Sequence, residues 1–452
     1  MPDVPTPSTA LPISRDAMDE VARRALATAK RLGASDAEIE VSAAIGQSIT
    51  VRRGEIETVE YNRDKGMGIN VYFGARRGNA STSDLAPDAV DRTVEAACAI
   101  ARHTAEDSAA GLPEASRLYQ GVAPDLDLFH PWGLSVEEAV EIAKRCEAAA
   151  LAVDRRITNT EGATVSSYDS DFVLANTRGF LQGFPTSKAS ISCSVVAEDK
   201  SGMQRDYWYT THRNPQALES PEAVGRAAGD RTVRRLSAKR LPTGDFPVLF
   251  EANVASSLLS HFVQVASGSS LYRHSSFLEG KLGTQVFSPQ VRIYEDPHVR
   301  GEMASAFFDA EGVATSPRAV VEGGVLKGWF LSSYSARKLG LETTGNAGGN
   351  HNLRLEPGEL DLEGLVRKMG RGFLVTEMMG QGVNPVTGDY SRGAAGFWVE
   401  GGEIRFPVEE VTIAGNLGEM FKGIVAVGRD VLARGSRHSG SVLIERMTIA
   451  GD

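Results

Sequence analysis

Residues 38–51 read EIEVSAAIGQSITV, and within them a helical spacing gives way to alternation. Ile39 and Val41, then Ile49 and Val51, fall on every second position, the repeat of a strand with one buried face. Ile69, Val71 and Phe73 continue it, with turns expected at Arg53-Gly54 and at Gly78. Upstream, Met18, Val21, Ala22, Ala25, Leu26, Ala29 and Leu32 recur at helical spacing, and Gly33 follows as a C-cap. Downstream, Pro87 lies in the first turn of a second helix with Val90, Val94, Ala97, Cys98 and Ala101 on one face. The pattern then recurs. Ser135-Val-Glu-Glu138 is a capping box opening a helix to about Val153. Strands are expected over 157–165, 172–175, 189–196 and 206–210, and a last helix from Pro221 to about Leu236. Two similar helix–strands–helix units predict an α+β fold, not a doubly wound parallel sheet.

Glycine marks a second region. Residues 1–243 hold 16 glycines and residues 244–452 hold 31, so the second half is expected to be rich in short strands and tight turns. The polar stretch SAKRLPTGDF, 237–246, marks the boundary. The expected organisation is a flexible N-terminus (1–14), a first α+β unit (15–110), a second (111–240) and a Gly-rich, β-rich C-terminal domain (241–452). Within that domain Phe246–Phe250 reads as a strand and Asn253 as the cap of a helix through Val265. Gly323-Gly324 and Gly401-Gly402 read as hairpin turns, and Asp361 as the cap of a helix around Leu362–Gly370.

A chain of 452 residues is too long for one ordinary core. It is 42% hydrophobic and 23% charged, a globular balance that excludes a largely disordered or collagenous chain. The net charge of −10 disfavours nonspecific nucleic-acid binding. No apolar run is long enough to span a membrane, and residues 1–15 lack the pattern of a signal peptide. Cys98, Cys146 and Cys193 are odd in number and far apart, which suits a reducing cytoplasm; Cys98 and Cys146 read as small core residues.

Self-contained catalytic motifs are scarce. None of the 8 histidines is followed by Glu, and the closest two are 13 residues apart, so no helical zinc pair exists. His298 beside Asp296, with Asp309 and Glu311 nearby, reads as a polar surface loop. No GxSxG occurs, and Ser267-Gly-Ser-Ser270 reads as a polar loop after a helix. Gly66-Met-Gly68 and Gly345-Asn-Ala-Gly-Gly349 lack the context of a phosphate cradle. Tyr207-Trp208-Tyr209 reads first as alternate packing on a sheet and second as the wall of a peptide groove.

Several separated segments resemble one family in order. They are Gly66-Met-Gly-Ile-Asn-Val-Tyr-Phe-Gly74 leading into Ala80-Ser-Thr-Ser-Asp84, Gln204-Arg-Asp-Tyr-Trp-Tyr209, Ser270-Leu-Tyr-Arg273, Glu409-Glu-Val-Thr-Ile-Ala-Gly-Asn-Leu417 and Met447-Thr-Ile-Ala-Gly451. Together they resemble the TldD/PmbA family, in its PmbA (TldE) branch, from about residue 15 to the end. The resemblance implies a zinc peptidase of two related subunits enclosing a chamber for unfolded peptides, and a family also described as modulators of DNA gyrase. In it the TldD-type subunit carries a His-Glu-x-x-x-His helix completed by a cysteine. Matched on Leu258-Leu259, the two histidine positions fall here on Ser260 and Val265, and the glutamate position on His261; no cysteine follows residue 193.

The resemblance therefore implies a metal-free subunit, inactive alone and itself without cofactor. A cytoplasmic TldD-type partner is expected to supply the zinc. Nucleic acid and membrane are not expected partners, and whether the isolated chain forms a homodimer is left open by the sequence. The candidate chamber residues are Ser260, His261, Ser270, Tyr272, Arg273 and His274, with Arg273 able to pair with a peptide carboxylate. Two alternatives stand beside this reading. One is a homodimeric peptidase or hydrolase with an unconventional site using His261, His274 or His298. The other is a nonenzymatic regulator of gyrase or of an antitoxin.

Overall fold

The alternation that begins at Glu38 becomes one very long strand. In the computed structural model, which describes residues 10–451, α1 (Arg15–Arg31) leads into β1 (Asp36–Arg52), β2 (Glu55–Phe73), β3 (Arg76–Thr82) and α2 (Pro87–His103). The second unit follows as α3 (Val136–Leu151), β4 (Ile157–Asn176), β5 (Leu181–Gln182), β6 (Thr186–Asp199), β7 (Gly202–His212) and α4 (Pro221–Arg234). Residues 1–9 of the expected flexible N-terminus lie outside the described residues, and Ser14 caps α1 by accepting from the Ala17 N–H at 3.3 Å.

Both units contribute to a single sheet of order β3-β2-β1-β4-β6-β7, in which β1 pairs antiparallel with both β2 and β4. Ile39, Val41 and Ala43 of β1 pack beneath α1 and α2, while Ile49 and Val51 of the same strand pack beneath α3 and α4. These odd-numbered positions share a face, so all four helices cover one side of the sheet. Cys98 lies in the first core, Cys146 and Cys193 in the second, all as buried free thiols. The capping box at Ser135 and Glu138 is present.

Two expectations need correction. Gly78 is not a turn; the hairpin turns at Gly74, and Gly78 lies inside β3 opposite Val71. A Cβ there would stand 2.2 Å from the Ala97 carbonyl oxygen, so glycine is required for α2 to approach the strand. The strands expected over 157–165 and 172–175 are one continuous β4. Its polar middle obscured that continuity: Asp169 and Asp171 are buried, and Asp171 pairs with Arg15 at the start of α1.

The C-terminal domain opens with β8 (Gly244–Phe250), α5 (Ala252–Val265) and α6 (Gly268–Tyr272). Short elements follow: β9 (Ile293–Glu295), β10 (Arg318–Glu322), β11 (Val325–Leu326), α7 (Ser333–Leu339) and β12 (Leu353–Leu355). Then come α8 (Leu362–Met369), β13 (Arg371–Met379), β14 (Asp389–Glu400), β15 (Glu403–Asn416), α9 (Leu417–Lys422), β16 (Ile424–Val427), β17 (Arg437–His438) and β18 (Val442–Ala450). The main sheet runs β15-β14-β13-β8-β18-β16, and an added β15–β18 pairing closes it on itself around a large apolar core. Asp361 caps α8 and both Gly-Gly hairpins form, as the sequence indicates. The fold is α+β with a β-rich C-terminal domain. No described helix is long and apolar enough to cross a membrane.

Candidate functional site

Helix α5 is the segment on which the family resemblance turns. Ala255, Leu258, Leu259, Phe262, Val263 and Val265 are buried and fix one face against the core. Asn253, Ser256, Ser257 and Ser260 repeat at three and four residues and form a polar stripe on the other face. Asn253 is not the cap. Glu251 holds that position without a side-chain cap bond, and the Ala252 N–H donates instead to Ser441 Oγ at 3.0 Å. The acceptor comes from the distant start of β18, which leaves Asn253 free to face the cleft.

The stripe borders two adjoining cavities of about 400 and 180 Å³ that share Asn253, Ser256 and Ser260. The larger is also lined by Asp206 and Tyr207 of β7, Thr376, Glu377 and Met378 of β13, and Arg392 of β14. The smaller is completed by Tyr209, Leu432 and the loop Arg434–Arg437. The aromatic run divides between the two faces of β7. Trp208 packs against the core beneath α3 and α4, whereas Tyr207 and Tyr209 line the cavities with their rings stacked at 6.3 Å.

Arg392 lines the larger cavity and Arg434 and Arg437 the smaller, and further guanidinium groups lie behind the walls. Arg231 contacts both Glu251 oxygens at 3.0 Å and Asp206 at 3.5 Å. Arg235 pairs with Asp206 at 3.7 Å and with Glu377. Arg434 stacks over Trp208 at 4.1 Å and Tyr209 at 4.3 Å and donates to Asn253 Oδ1 at 3.3 Å. His261 lies behind the stripe, edge-on to Tyr390 at 5.8 Å. Burial, with the nearby Arg392 charge, pushes its imidazole down to about 4, so it is neutral at pH 7, and its Nε2 has no partner among the described residues.

These residues do not fit a zinc ion. Ser260 offers only a hydroxyl, which donates to the Ser256 carbonyl at 3.2 Å. Val265 is 1% exposed within the apolar core. The nearby charge at His261 is a guanidinium, which disfavours a further cation. No group of three or more His, Cys, Asp or Glu suited to a metal occurs among the described residues.

The six candidate residues do not form one cluster. Ser260 lines the cleft and His261 lies behind it, but Ser270, Tyr272, Arg273 and His274 continue past the helix end and line neither cavity. Ser270 Oγ donates to the Gln264 carbonyl at 2.6 Å, and Ser267 caps the short α6. Tyr272 packs edge-on against Tyr334 of α7 at 5.8 Å. Arg273 lies over the Tyr272 ring, and His274, with φ of 55°, meets Glu279 Oε1 at 2.8 Å. Sequence reasoning did not single out Ser256, Ser257, Thr376, Arg392, Arg434 and Arg437. The only local signal was the Asn/Ser stripe on an otherwise apolar helix.

The loop at Asp309 also departs from expectation. Asp309 is buried rather than exposed, and its carboxylate accepts from the backbone N–H groups of Glu311, Val313 and Ala347. It therefore ties two loops together where they border a cavity of about 730 Å³ against the helix-free face of the large sheet. His298 Nε2 lies 3.1 Å from Thr315 Oγ1.

Known proteins resemble the chain throughout. Profiles of the PmbA/TldA metallopeptidase match in three successive parts: domain 1 over 37–101, the central domain over 129–236 and the C-terminal domain over 243–451. The chain is 48% identical over 439 residues to Metalloprotease PmbA of Escherichia coli O157:H7, covering 96% of this chain and 97% of that one. A solved structure from Bacteroides thetaiotaomicron, described as a candidate modulator of DNA gyrase, matches with a TM-score of 0.91 at 27% identity, over 96% of this chain and 99% of that one. TldE from Thermococcus kodakarensis shares the fold with a TM-score of 0.82 at 22% identity, over 96% and 100%.

Proposed function

Because the chain belongs to the PmbA/TldA metallopeptidase family, we propose that it is the metal-free, PmbA/TldE-type subunit of a heterodimeric zinc peptidase acting on unfolded peptides in the cytoplasm. A TldD-type partner supplies the zinc and the general base. This chain supplies the cleft beside α5 as one wall of the peptide groove. The observation that carries the reading is the character of α5: a hydroxyl at Ser260 and a buried aliphatic at Val265 stand where the related subunit is expected to hold its metal.

The cleft suits an extended peptide. β7 is the last strand in the order of the large sheet, and its Tyr207 and Tyr209 face the cleft. Added there, a peptide gains backbone hydrogen bonds independent of its sequence. Tyr207 and Tyr209 present aromatic faces to its side chains, and the serine stripe offers small hydrogen-bonding groups opposite. When bound in the partner, zinc would activate the attacking water. The part left to this chain is to hold and orient the peptide.

The test is reconstitution. The purified chain alone is expected to leave an unfolded peptide intact. Mixed with a TldD-type subunit it is expected to support turnover that chelation abolishes. Hydrolysis by this chain alone, persisting after chelation, would place the chemistry here and overturn the proposal.

A further inference from the structure

The charges of the cleft do not balance within the chain. Asp206 and Glu377, which line the larger cavity, are already engaged by Arg231 and Arg235. Arg392 in the same cavity and Arg437 in the adjoining one have no carboxylate partner among the described residues, and the Nε of each is buried without an acceptor. Thr376 lines the same cavity as Arg392, is 6% exposed, and its Oγ1 has no hydrogen-bond partner among the described residues. Buried donors without acceptors are costly, so several bordering one cleft point to an acceptor supplied from outside.

We propose that this cleft is a carboxylate-binding subsite, in which Arg392 and Thr376 hold a carboxylate of the bound peptide and Arg437 adds a second positive charge from the adjoining cavity. A guanidinium matches a carboxylate through two parallel N–H donors, and a threonine hydroxyl can complete its shell. Ser260 and Ser256 border both cavities and give the neighbouring peptide backbone small polar contacts. His261 is neutral and faces Tyr390, so it does not compete as a cation. The role considered for Arg273 thus falls to Arg392; Arg273 stacks on Tyr272 outside the cleft.

The assignment deepens the peptide-groove reading, and its test is equilibrium binding to the isolated full-length chain, which needs neither partner nor zinc. Three fluorescent unstructured peptides are compared: one with a free C-terminus, the same peptide amidated, and an amidated peptide with one internal glutamate. At least one carboxylate-bearing form is expected to bind about tenfold more tightly than the amidated peptide. Which form does so distinguishes a terminal carboxylate from a side-chain one. Arg392→Gln is expected to erase the preference, and Arg392→Lys to retain part of it. Thr376→Val should weaken it without loss of charge, which keeps the test decisive if Arg392→Gln does not fold. Equal binding of all three peptides, no binding of any, or an undiminished preference in folded Arg392→Gln would overturn the subsite. Failure of reconstituted turnover would instead overturn the peptidase reading.

Discussion

Glu38 shows how one side chain can record the contact between domains. It lies on β1 and borders a cavity of about 550 Å³ shared with Glu311 of the C-terminal domain. Burial, then the Glu311 charge, pushes its carboxyl up to about 7. A carboxyl whose folded pKa exceeds its unfolded value binds its proton more tightly when folded. Its stabilising contribution is therefore complete below about 4.5 and is lost as pH rises through about 7. Glu38→Gln is expected to raise the thermal midpoint by a few degrees at pH 8 and leave it unchanged at pH 5, as calorimetry at the two pH values would show. The amide can still accept from Asn70 Nδ2, at 3.2 Å in the parent. The sequence does not announce such sites. Asp309 reads as part of a surface loop because an acid with a second acid, Glu311, two residues on is ordinarily solvated. It is buried because an N–H from Ala347, 38 residues away, comes to meet it.

At the scale of elements, periodicity made the helices and long strands legible, and close approach was the part it concealed. Gly225 and Gly229 of α4 lie against α3: a Cβ at Gly225 would stand 2.0 Å from the Cys146 carbonyl oxygen. Gly225→Ala should lower stability by about 1–2 kcal/mol in denaturant titration, because overpacking outweighs the better helix propensity of alanine. The start of α5 conceals its cap for a similar reason. Asn253 has the composition of a cap, but the acceptor for the Ala252 N–H is Ser441, 189 residues away. Ser441 Oγ also bonds Asp430 Oδ2 at 2.6 Å. Ser441→Ala is expected to cost about 2 kcal/mol by the same titration, since it removes the cap and leaves Asp430 short of a donor. The polar stripe on α5 is visible in the sequence. The arginines facing it come from β14, β17 and the loop before β17, and no local pattern joins them.

Across the whole molecule, each large sheet is completed late. β1 is flanked by β2 immediately but by β4 only after a long interval, and β8 lies between β13 and β18. During synthesis, one flank of β1 remains unpaired while about a hundred further residues are made, roughly 5–20 s at ordinary elongation rates. β8 waits longer, because its partner β18 occupies residues 442–450, nearly two hundred residues further on. Until then, Val248, Leu249 and Phe250, all fully buried in the finished protein, lack their final neighbours. A ribosome-bound chain stopped before β18 is therefore expected to be protease-sensitive in its second half, and to become resistant only once β18 has left the exit tunnel. The protein that is proposed to help dispose of unfolded peptides must itself spend its synthesis as one, dependent on whatever shelters nascent chains.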